Sequence, residues 1–261
     1  MKQEPRILTI VKDVYERTQG QNFPSFKERV ASLNSPTYNE IFGPIQTTEY
    51  NGLILFRYGR YSDVLNDESE DFGEAWETFW MKYNGLYREL RSIVIDTERM
   101  EVALYPFDKF FNINELPETS EAEIIRRIEN ATESIEFSDK LDGSMVSARF
   151  YNGQVILTGS KSLNPTQSWR LEQNYRMLKE NPNLYRLIAE HPEYTLIFES
   201  LTKEDAHVVK YKDEEMGLHL IGVRDMNDYS IKTYAEVVRL ANEYGVQTTR
   251  IFDKRIEEIK K

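Results

Sequence analysis

The segment from Met145 to Thr158 carries the strongest local constraint on how this chain folds. Met145 to Phe150 is rich in strand-forming residues, Asn152-Gly153 follows shortly after, and Val155 to Thr158 is again strand-like. An Asn-Gly pair suits the tight turn between two antiparallel strands, because both residues adopt positive φ at little cost. The segment therefore predicts a β-hairpin, and with it an antiparallel sheet.

Further strand-like runs lie on both sides of this hairpin. They are rich in β-branched and aromatic residues and are bounded by turn-forming residues. These runs are 52–62 (GLILFRYGRYS), 91–96, 102–105, 135–137, 194–199, 208–211 and 218–223. Their short connections indicate antiparallel pairing between them.

Helical patterns separate these strands. Aromatic residues spaced by three and four predict an amphipathic helix over 72–87. Ser120 and Thr233 each begin a capping box, and Asn164-Pro165 predicts the start of a long helix that runs towards Asn181-Pro182. The combination predicts an α+β fold in which helices flank antiparallel sheets. Residues 1–50 are predicted to form a helical N-terminal appendage, and residues 51–261 the main domain.

Composition limits the classes of function. The sequence has no cysteine, which excludes disulfides and thiolate chemistry, and it has no apolar run of about 18 residues and no secretory signal at its start. These features predict a cytoplasmic protein that does not associate with membranes. The net charge of −11 means that any surface for nucleic acid must be a local one.

Lys140 is the main candidate for chemistry. It ends one predicted strand just before the next, and Gly143 permits a backbone conformation or a close approach that a side chain would block. A lysine amine has a pKa near ~10.4, so it becomes a nucleophile only if burial or nearby cations lower that pKa. Arg91, Lys109 and Lys161 are candidate cations, and they could also hold a triphosphate.

The motif by itself leaves two interpretations open. A lysine next to Asp-Gly is more often an exposed turn residue than a catalytic one, because short motifs produce many false matches. Glu199 could equally form a structural ion pair, and one of Phe110 and Phe111 is expected to lie in the core because side chains alternate along a strand.

Several segments in a fixed order favour the catalytic interpretation. Lys140-Leu-Asp-Gly-Ser resembles the nucleophile motif of the covalent nucleotidyltransferases, which include RNA ligases, DNA ligases and mRNA capping enzymes. Upstream, 89–96 (ELRSIVID) and 106–115 (PFDKFFNINE) resemble the two segments that precede this lysine in phage RNA ligase 1, the tRNA-repair type. The chain is thus identified by resemblance as a member of that family.

The resemblance continues on both sides and spans roughly residues 50 to 230. Segment 157–162 (LTGSKS) resembles a hairpin end where the family has a basic residue, and 196–199 (LIFE) resembles its glutamate strand. Segments 208–211 and 218–225 resemble companion strands, and 58–63 (YGRYSD) resembles an aromatic segment near the family's N-terminus.

This resemblance implies an activity and a set of residues. It implies that Lys140 attacks ATP in the presence of Mg²⁺, forms lysyl-AMP, and passes AMP to the 5′-phosphate of an RNA end that is then joined to a 3′-hydroxyl. It also implies that Glu199 holds the ribose hydroxyls, a role that suits a carboxylate acceptor. The nucleotide-contacting residues that it implies are Arg91, Lys109, Phe111, Asp142, Gly143, Lys161 and Glu199.

Three features depart from the family pattern. Ser92 stands where the family usually has glycine, and Ala206-His207 replaces a pair that contains arginine. The family's last two motifs, a Glu-Gly strand and a Lys-any-Lys strand, are not recognisable after residue 250. The sequence leaves three explanations open: a shortened chain, half of a split ligase completed by a second polypeptide, or a relative that binds nucleotide or RNA without chemistry.

Overall fold

Two antiparallel sheets of four strands form the centre of the structure. A computed structural model describes residues 4–59, 72–132, 135–205 and 207–252. The first sheet contains β1 (Ile45–Tyr50), β2 (Leu53–Tyr58), β3 (Arg91–Asp96) and β4 (Glu101–Leu104), in that order. A short pair is formed by β5 (Phe137–Ser138) and β10 (Ile251–Phe252). The second sheet contains β6 (Ser144–Tyr151), β7 (Gln154–Gly159), β8 (Tyr194–Leu201) and β9 (Gly217–Asp225), in the order β7-β6-β8-β9.

The predicted hairpin is present and joins β6 to β7. Tyr151 pairs with Gln154 across the turn, and Asn152 and Gly153 have φ values of 50° and 81°. These are the positive values that a two-residue turn of this hand requires, and Asn-Gly adopts them more readily than other pairs. The sequence therefore determined the register of this part of the sheet.

Helices cover the outer faces of both sheets. Their bounds are α1 (Arg6–Arg17), α2 (Phe26–Ser32), α3 (Pro36–Phe42), α4 (Phe72–Glu89), α5 (Glu121–Glu129), α6 (Trp169–Glu180), α7 (Pro182–Glu190) and α8 (Tyr234–Tyr244). Ser120 and Thr233 cap α5 and α8 as predicted. The predicted α+β fold with antiparallel sheets and flanking helices is therefore confirmed.

The N-terminal helices share a core with the first sheet. Ile7 and Val11 on α1 are fully buried in the cluster that contains Phe56 of β2 and Trp80 of α4. The prediction that residues 1–50 are helical is wrong for the last six, which form β1. The boundary predicted at residue 50 falls in the turn between β1 and β2, and the division into two domains remains a proposal.

Helix α4 confirms the predicted aromatic helix but contains a kink. Tyr83, Asn84 and Gly85 all have positive φ, so the helix is interrupted before it ends at Glu89. Trp80 still packs at the centre of the first core, with its ring 4.9 Å from that of Phe79. The periodic pattern alone gave no sign of this interruption, because the aromatic spacing continues through it.

The two sheets pack face to face. Leu55, Val94 and Leu104 of the first sheet form a cluster with Tyr151 and Ile156 of the second. The other face of the second sheet packs on α6, α7 and α8 through residues such as Leu171, Leu187 and Val237. The result is a layered arrangement in which one end of the gap between the sheets is available for a ligand.

Two strand and helix predictions are wrong in detail. Asn164-Pro165 begins only a single 3-10 turn, and α6 begins after Ser168, whose side chain accepts a hydrogen bond from the Leu171 amide. Residues 208–211 form no strand, and Val208 is 92% exposed. Apolar residues on a short loop are of the same types as those found in strands, so the sequence pattern could not distinguish this loop from a strand.

In the part of the chain that the structure describes, no helix is long and apolar enough to cross a lipid bilayer.

Candidate active site

A cavity of about 840 Å³ lies where the two sheets separate. Side chains from both sheets and from the loop around Lys140 line it. The residues on which the argument depends are Arg91, Phe110, Lys140, Gly143, Glu199 and Tyr234. Three of the predicted site residues, Arg91, Lys140 and Glu199, are therefore brought together although they are far apart in the sequence.

The loop that carries Lys140 is fixed to the second sheet. Lys140 lies between β5 and β6, and its exposed side chain lines the cavity. The Gly143 amide donates a hydrogen bond of 2.9 Å to Glu199 Oε1. Asp142 is held as well, since its Oδ2 accepts hydrogen bonds from the amides of Val208 and Val209 at 2.8 and 2.9 Å. Three backbone contacts thus hold the turn that presents Lys140.

Gly143 is needed for packing rather than for an unusual φ. A Cβ at this position would overlap the carbonyl oxygen of Ser200 on β8. The close approach predicted at Gly143 is therefore present, and the group that approaches is a strand of the protein itself. A larger residue would push the Lys140 loop away from Glu199.

Glu199 lines the cavity next to the Lys140 loop. It lies on β8, where it pairs with Met145 of β6 and with His219 of β9. Burial raises the pKa of the Glu199 carboxyl, while the Gly143 amide and the charges of Lys140 and Arg91 act to lower it. No described residue donates a hydrogen bond to its second carboxylate oxygen, which could therefore accept hydrogen bonds from a ligand.

Arg91 lines the cavity and carries a hydrogen-bond donor that no described residue uses. It is the first residue of β3, and its guanidinium lies 4.1 Å from the centre of the Phe110 ring. Its Nη1 atom is buried and has no hydrogen-bond partner within residues 4–59, 72–132, 135–205 and 207–252. A buried cationic donor without a partner is costly, so this atom is the best single indication that an anion binds here.

Ser92 explains how Arg91 reaches the cavity. Its φ is 71°, a left-handed value that is uncommon for any residue with a side chain. The backbone there forms a bulge, because β2 and β3 lose their regular register between Phe56 and Arg57. Ser92 Oγ donates a hydrogen bond of 3.0 Å to the carbonyl of Ser160, which also borders the cavity. The glycine that the family usually has at this position fits the same backbone without strain.

Lys109 and Phe111 are not in this cavity. Lys109 lines a second cavity of about 580 Å³, and its Nζ lies 3.5 Å from Glu115. Phe111 packs against Trp80, with ring centres 5.3 Å apart. Phe110 takes the position that we expected for Phe111 and is 57% exposed. The alternation argument predicted that one of the two rings is core, and the structure shows that this ring is Phe111.

Lys161 and Asp142 border the cavity without lining it. Lys161 follows Ser160 and is exposed, while the carboxylate of Asp142 is used by the loop at 208–209. The hydrogen bond from the Val209 amide is the main cause that lowers the pKa of the Asp142 carboxyl, and the bond from the Val208 amide adds to it. Ala206 and residues 60–63 of the predicted aromatic segment lie outside the described residues.

Sequence analysis did not identify several residues of the cavity wall. Tyr234 and Thr249 line it, and Thr249 Oγ1 is a buried hydroxyl without a hydrogen-bond partner among the described residues. Phe107 also lines it and packs directly on Gly222 of β9, where a Cβ would overlap the ring. Phe107 and Gly222 lie in segments 106–115 and 218–225, which the family resemblance had marked, whereas the capping box at Thr233 indicated only a helix start.

Comparison with known proteins shows that the chain is similar to RNA ligases. A family model described as RNA ligase matches residues 89–261. A candidate RNA ligase of Thermovibrio ammonificans is 33% identical over 143 residues, which is 54% of this chain and 34% of that protein. An archaeal ATP-dependent RNA ligase is similar in structure, with a TM-score of 0.49, 17% identity, and coverage of 95% of this chain and 55% of that one.

An RNA ligase of Naegleria gruberi with pyrophosphate is a more distant match. It has a TM-score of 0.41 and 18% identity, and the match covers 49% of this chain and 39% of that chain. The chain therefore spans about a third of the curated relative and about half of the archaeal one.

Proposed function

This chain belongs to the RNA ligase family, and on that premise we propose that it joins RNA ends through an adenylate held covalently on Lys140. The observation that carries the proposal is the shared cavity of Lys140, Arg91 and Glu199 together with the unused donor of Arg91. Adenylation of a lysine requires that the phosphates of ATP bind next to the lysine amine, and cationic donors in the same cavity favour this binding.

In the first step, the Lys140 amine attacks the α-phosphorus of ATP. A nitrogen–phosphorus bond forms, the bond to the pyrophosphate oxygen breaks, and the proton lost by the amine passes to solvent. Arg91 would stabilise the negative charge that develops on the phosphoryl oxygens, because it lines the cavity and its Nη1 donor has no hydrogen-bond partner among the described residues. Glu199 would accept hydrogen bonds from the ribose hydroxyls with the carboxylate oxygen that Gly143 does not use.

A divalent metal would support this step by neutralising phosphate charge. Within the described residues, no group of three or more His, Asp or Glu side chains could hold a metal by itself. Magnesium commonly binds through substrate phosphates with only one or two carboxylates. We therefore propose that Mg²⁺ binds together with ATP, next to the carboxylates of Glu136, Asp139 and Glu199, which line the cavity.

The later steps follow from the chemistry of the adenylate. An RNA 5′-phosphate would attack the phosphorus of lysyl-AMP and release Lys140, and a 3′-hydroxyl would then displace AMP to form the phosphodiester bond. The specific use in tRNA repair, the cytoplasmic location and a phage-like origin belong to the same proposal. The relatives described above give no support for a second polypeptide, and none is proposed.

The test uses ATP labelled at the α-phosphate and an RNA with a 5′-phosphate and a 3′-hydroxyl. We expect label on the parent protein, none on Lys140→Ala, and full labelling of Lys179→Ala, a control at the end of α6. Joined RNA should form only with the variants that become labelled. Equal labelling of Lys140→Ala, or neither labelling nor joining by the parent chain, would contradict the proposal.

A further inference from the structure

An exposed tryptophan at the start of α6 has an arginine next to its ring. Trp169 is the first residue of α6 and is 49% exposed. The guanidinium of Arg170 lies 4.7 Å from the centre of its ring. Two flat groups are thus held next to each other at the protein surface, and we call them the Trp169–Arg170 pair.

The pair is connected to the cavity by a short chain of hydrogen bonds. Arg170 Nη2 donates to Asp205 Oδ1 at 2.6 Å, and Ser144 Oγ donates to Asp205 Oδ2 at 2.6 Å. Ser144 lines the Lys140 cavity, and the Asp205 side chain is only 10% exposed. Because Asp205 is nearly buried and bonded on both oxygens, it fixes Arg170 relative to the cavity wall.

Both acidic and basic side chains surround the pair. Glu172 on α6 and Glu204 next to Asp205 are exposed, while His207 lies 3.9 Å from Asp205, and Lys161 and Lys210 are exposed on the segments that follow Ser160 and His207. Among the described residues, neither Lys161 nor Lys210 forms an ion pair with a carboxylate. Phosphates could therefore be contacted here without first breaking a salt bridge.

A single exposed aromatic residue needs no functional explanation, so the connection to the cavity carries the argument. Tyr185 on α7 offers the comparison, since it is 48% exposed and, like Trp169, is not among the residues that line the cavity. Trp169 differs because its neighbour Arg170 is linked through Asp205 to Ser144, which lines the cavity. This is an arrangement suited to a ligand that extends out of the cavity.

We propose that the Trp169–Arg170 pair is a stacking platform for a nucleobase of the RNA end that reaches Lys140. The inference rests on the proposed function, because an RNA end must approach the adenylate. Every base has a flat π face, and single-stranded nucleic acid is commonly held by stacking on aromatic rings and guanidinium groups. Such stacking does not depend on the RNA sequence. Asp205 holds the guanidinium of Arg170 in place.

The test measures RNA binding by Trp169→Ala, Trp169→Phe and the matched control Tyr185→Ala. Binding of a short fluorescent single-stranded RNA is followed by anisotropy in the absence of ATP. We expect Trp169→Ala to bind roughly tenfold or more weakly, as loss of one stacked base predicts. Trp169→Phe should recover most of the affinity, and Tyr185→Ala should bind like the parent. RNA should also quench the tryptophan emission of the parent more than that of Trp169→Phe.

Labelling of Lys140 by ATP is measured in parallel on the same proteins, since it reports on the nucleotide cavity alone. Parental RNA affinity in Trp169→Ala would overturn the inference even if Lys140 is labelled. Absence of RNA binding by the parent would overturn it as well, and would point to another class of partner for this surface. Absence of label with Trp169-dependent RNA binding would instead reject the proposed catalysis and leave the platform supported.

Discussion

The cavity lined by Lys109 and the cavity lined by Lys140 differ in how their cations are paired. In the cavity of Lys109, charged side chains form ion pairs, such as Arg6 with Glu89 at 2.8 Å and Arg88 with Glu118 at 2.7 Å. In the cavity of Lys140, Lys232 pairs with Asp225 at 3.1 Å, but neither Arg91 nor Lys140 forms an ion pair with any described residue, although Glu199 shares the space.

This difference separates charges that hold the fold from charges that are available to a ligand. Glu89 is buried, and its carboxylate accepts hydrogen bonds from Arg6 and from the Ile7 amide, which fastens α1 to the end of α4. Such a pair is satisfied within the protein. Among the described residues, Arg91 Nη1 is buried without any such partner, so the protein itself does not offset the desolvation cost of this atom.

The strongest test of this difference between the cavities is to remove one arginine from each of them. Arg91→Ala should lower lysine adenylation by about 100-fold or more, because it removes a donor placed where charge develops. Arg88→Ala should leave adenylation near the parental level and lower the free energy of unfolding by about 1 kcal/mol. Labelling rates and urea denaturation of both variants check this. Comparable losses of adenylation in the two variants would remove the distinction between the cavities.

Glu199→Gln tests the carboxylate that faces Lys140. We expect adenylation to fall by roughly tenfold, since an amide is a weaker acceptor for ribose hydroxyls than a carboxylate. In contrast to its activity, the stability of the Glu199→Gln variant at neutral pH should increase. Burial raises the pKa of Glu199, so the ionised carboxylate reduces stability at neutral pH, and this cost disappears below its ordinary pKa near ~4.3.

The measurement for Glu199→Gln is a series of melting curves from acidic to neutral pH. The variant should melt slightly higher than the parent near neutral pH and at the same temperature at acidic pH. A variant that is less stable than the parent only at neutral pH would show that the charged carboxylate stabilises the fold.

Substitutions at Ser92 test the backbone bulge next to Arg91 without changing the charge of Arg91. Ser92→Val places a β-branched residue at positive φ and should cost about 2 kcal/mol of unfolding free energy. Ser92→Gly removes strain but also the hydrogen bond to Ser160, so it should stay within about 1 kcal/mol of the parent. Chemical denaturation of both variants measures this. Equal stability of the valine and glycine variants would argue against the strained bulge.

The smallest expected effect concerns the two neighbouring phenylalanines. Phe110→Ala should weaken ATP binding a few-fold with little change in melting temperature, because Phe110 is exposed over Arg91. Phe111→Ala should mainly lower the melting temperature, because Phe111 packs against Trp80. Titration calorimetry with an uncleavable ATP analogue, combined with melting curves, separates the two. A reversed pattern would assign the ring of the site to Phe111.

Much of the fold could be predicted because local signals and tertiary contacts agree. The Asn152-Gly153 turn, the cap at Thr233 and strand β3 each follow from a few adjacent residues. Predictions were wrong where composition is ambiguous. Val208 and Val209 have strand-forming side chains, but their amides bind the carboxylate of Asp142 instead of a neighbouring strand.

The candidate site was predictable only in part, for a related reason. Motif order placed Lys140, Arg91 and Glu199 in one site, and the structure brings them together. It could not decide which of Phe110 and Phe111 faces the cavity, since that depends on how a loop without regular alternation packs on Trp80. Nor could it reveal that Glu115 pairs with Lys109, because the partner of a charge is set by the fold.

Mapping the covalently bound adenylate tests the central claim most directly. The parent protein is incubated with ATP and Mg²⁺, digested under conditions that preserve phosphoramidates, and its peptides are analysed by mass spectrometry. The account predicts AMP on the peptide that contains Lys140 and none on the peptide that contains Lys109. Adenylate on Lys109 or on any other residue, with Lys140 unmodified, would contradict it.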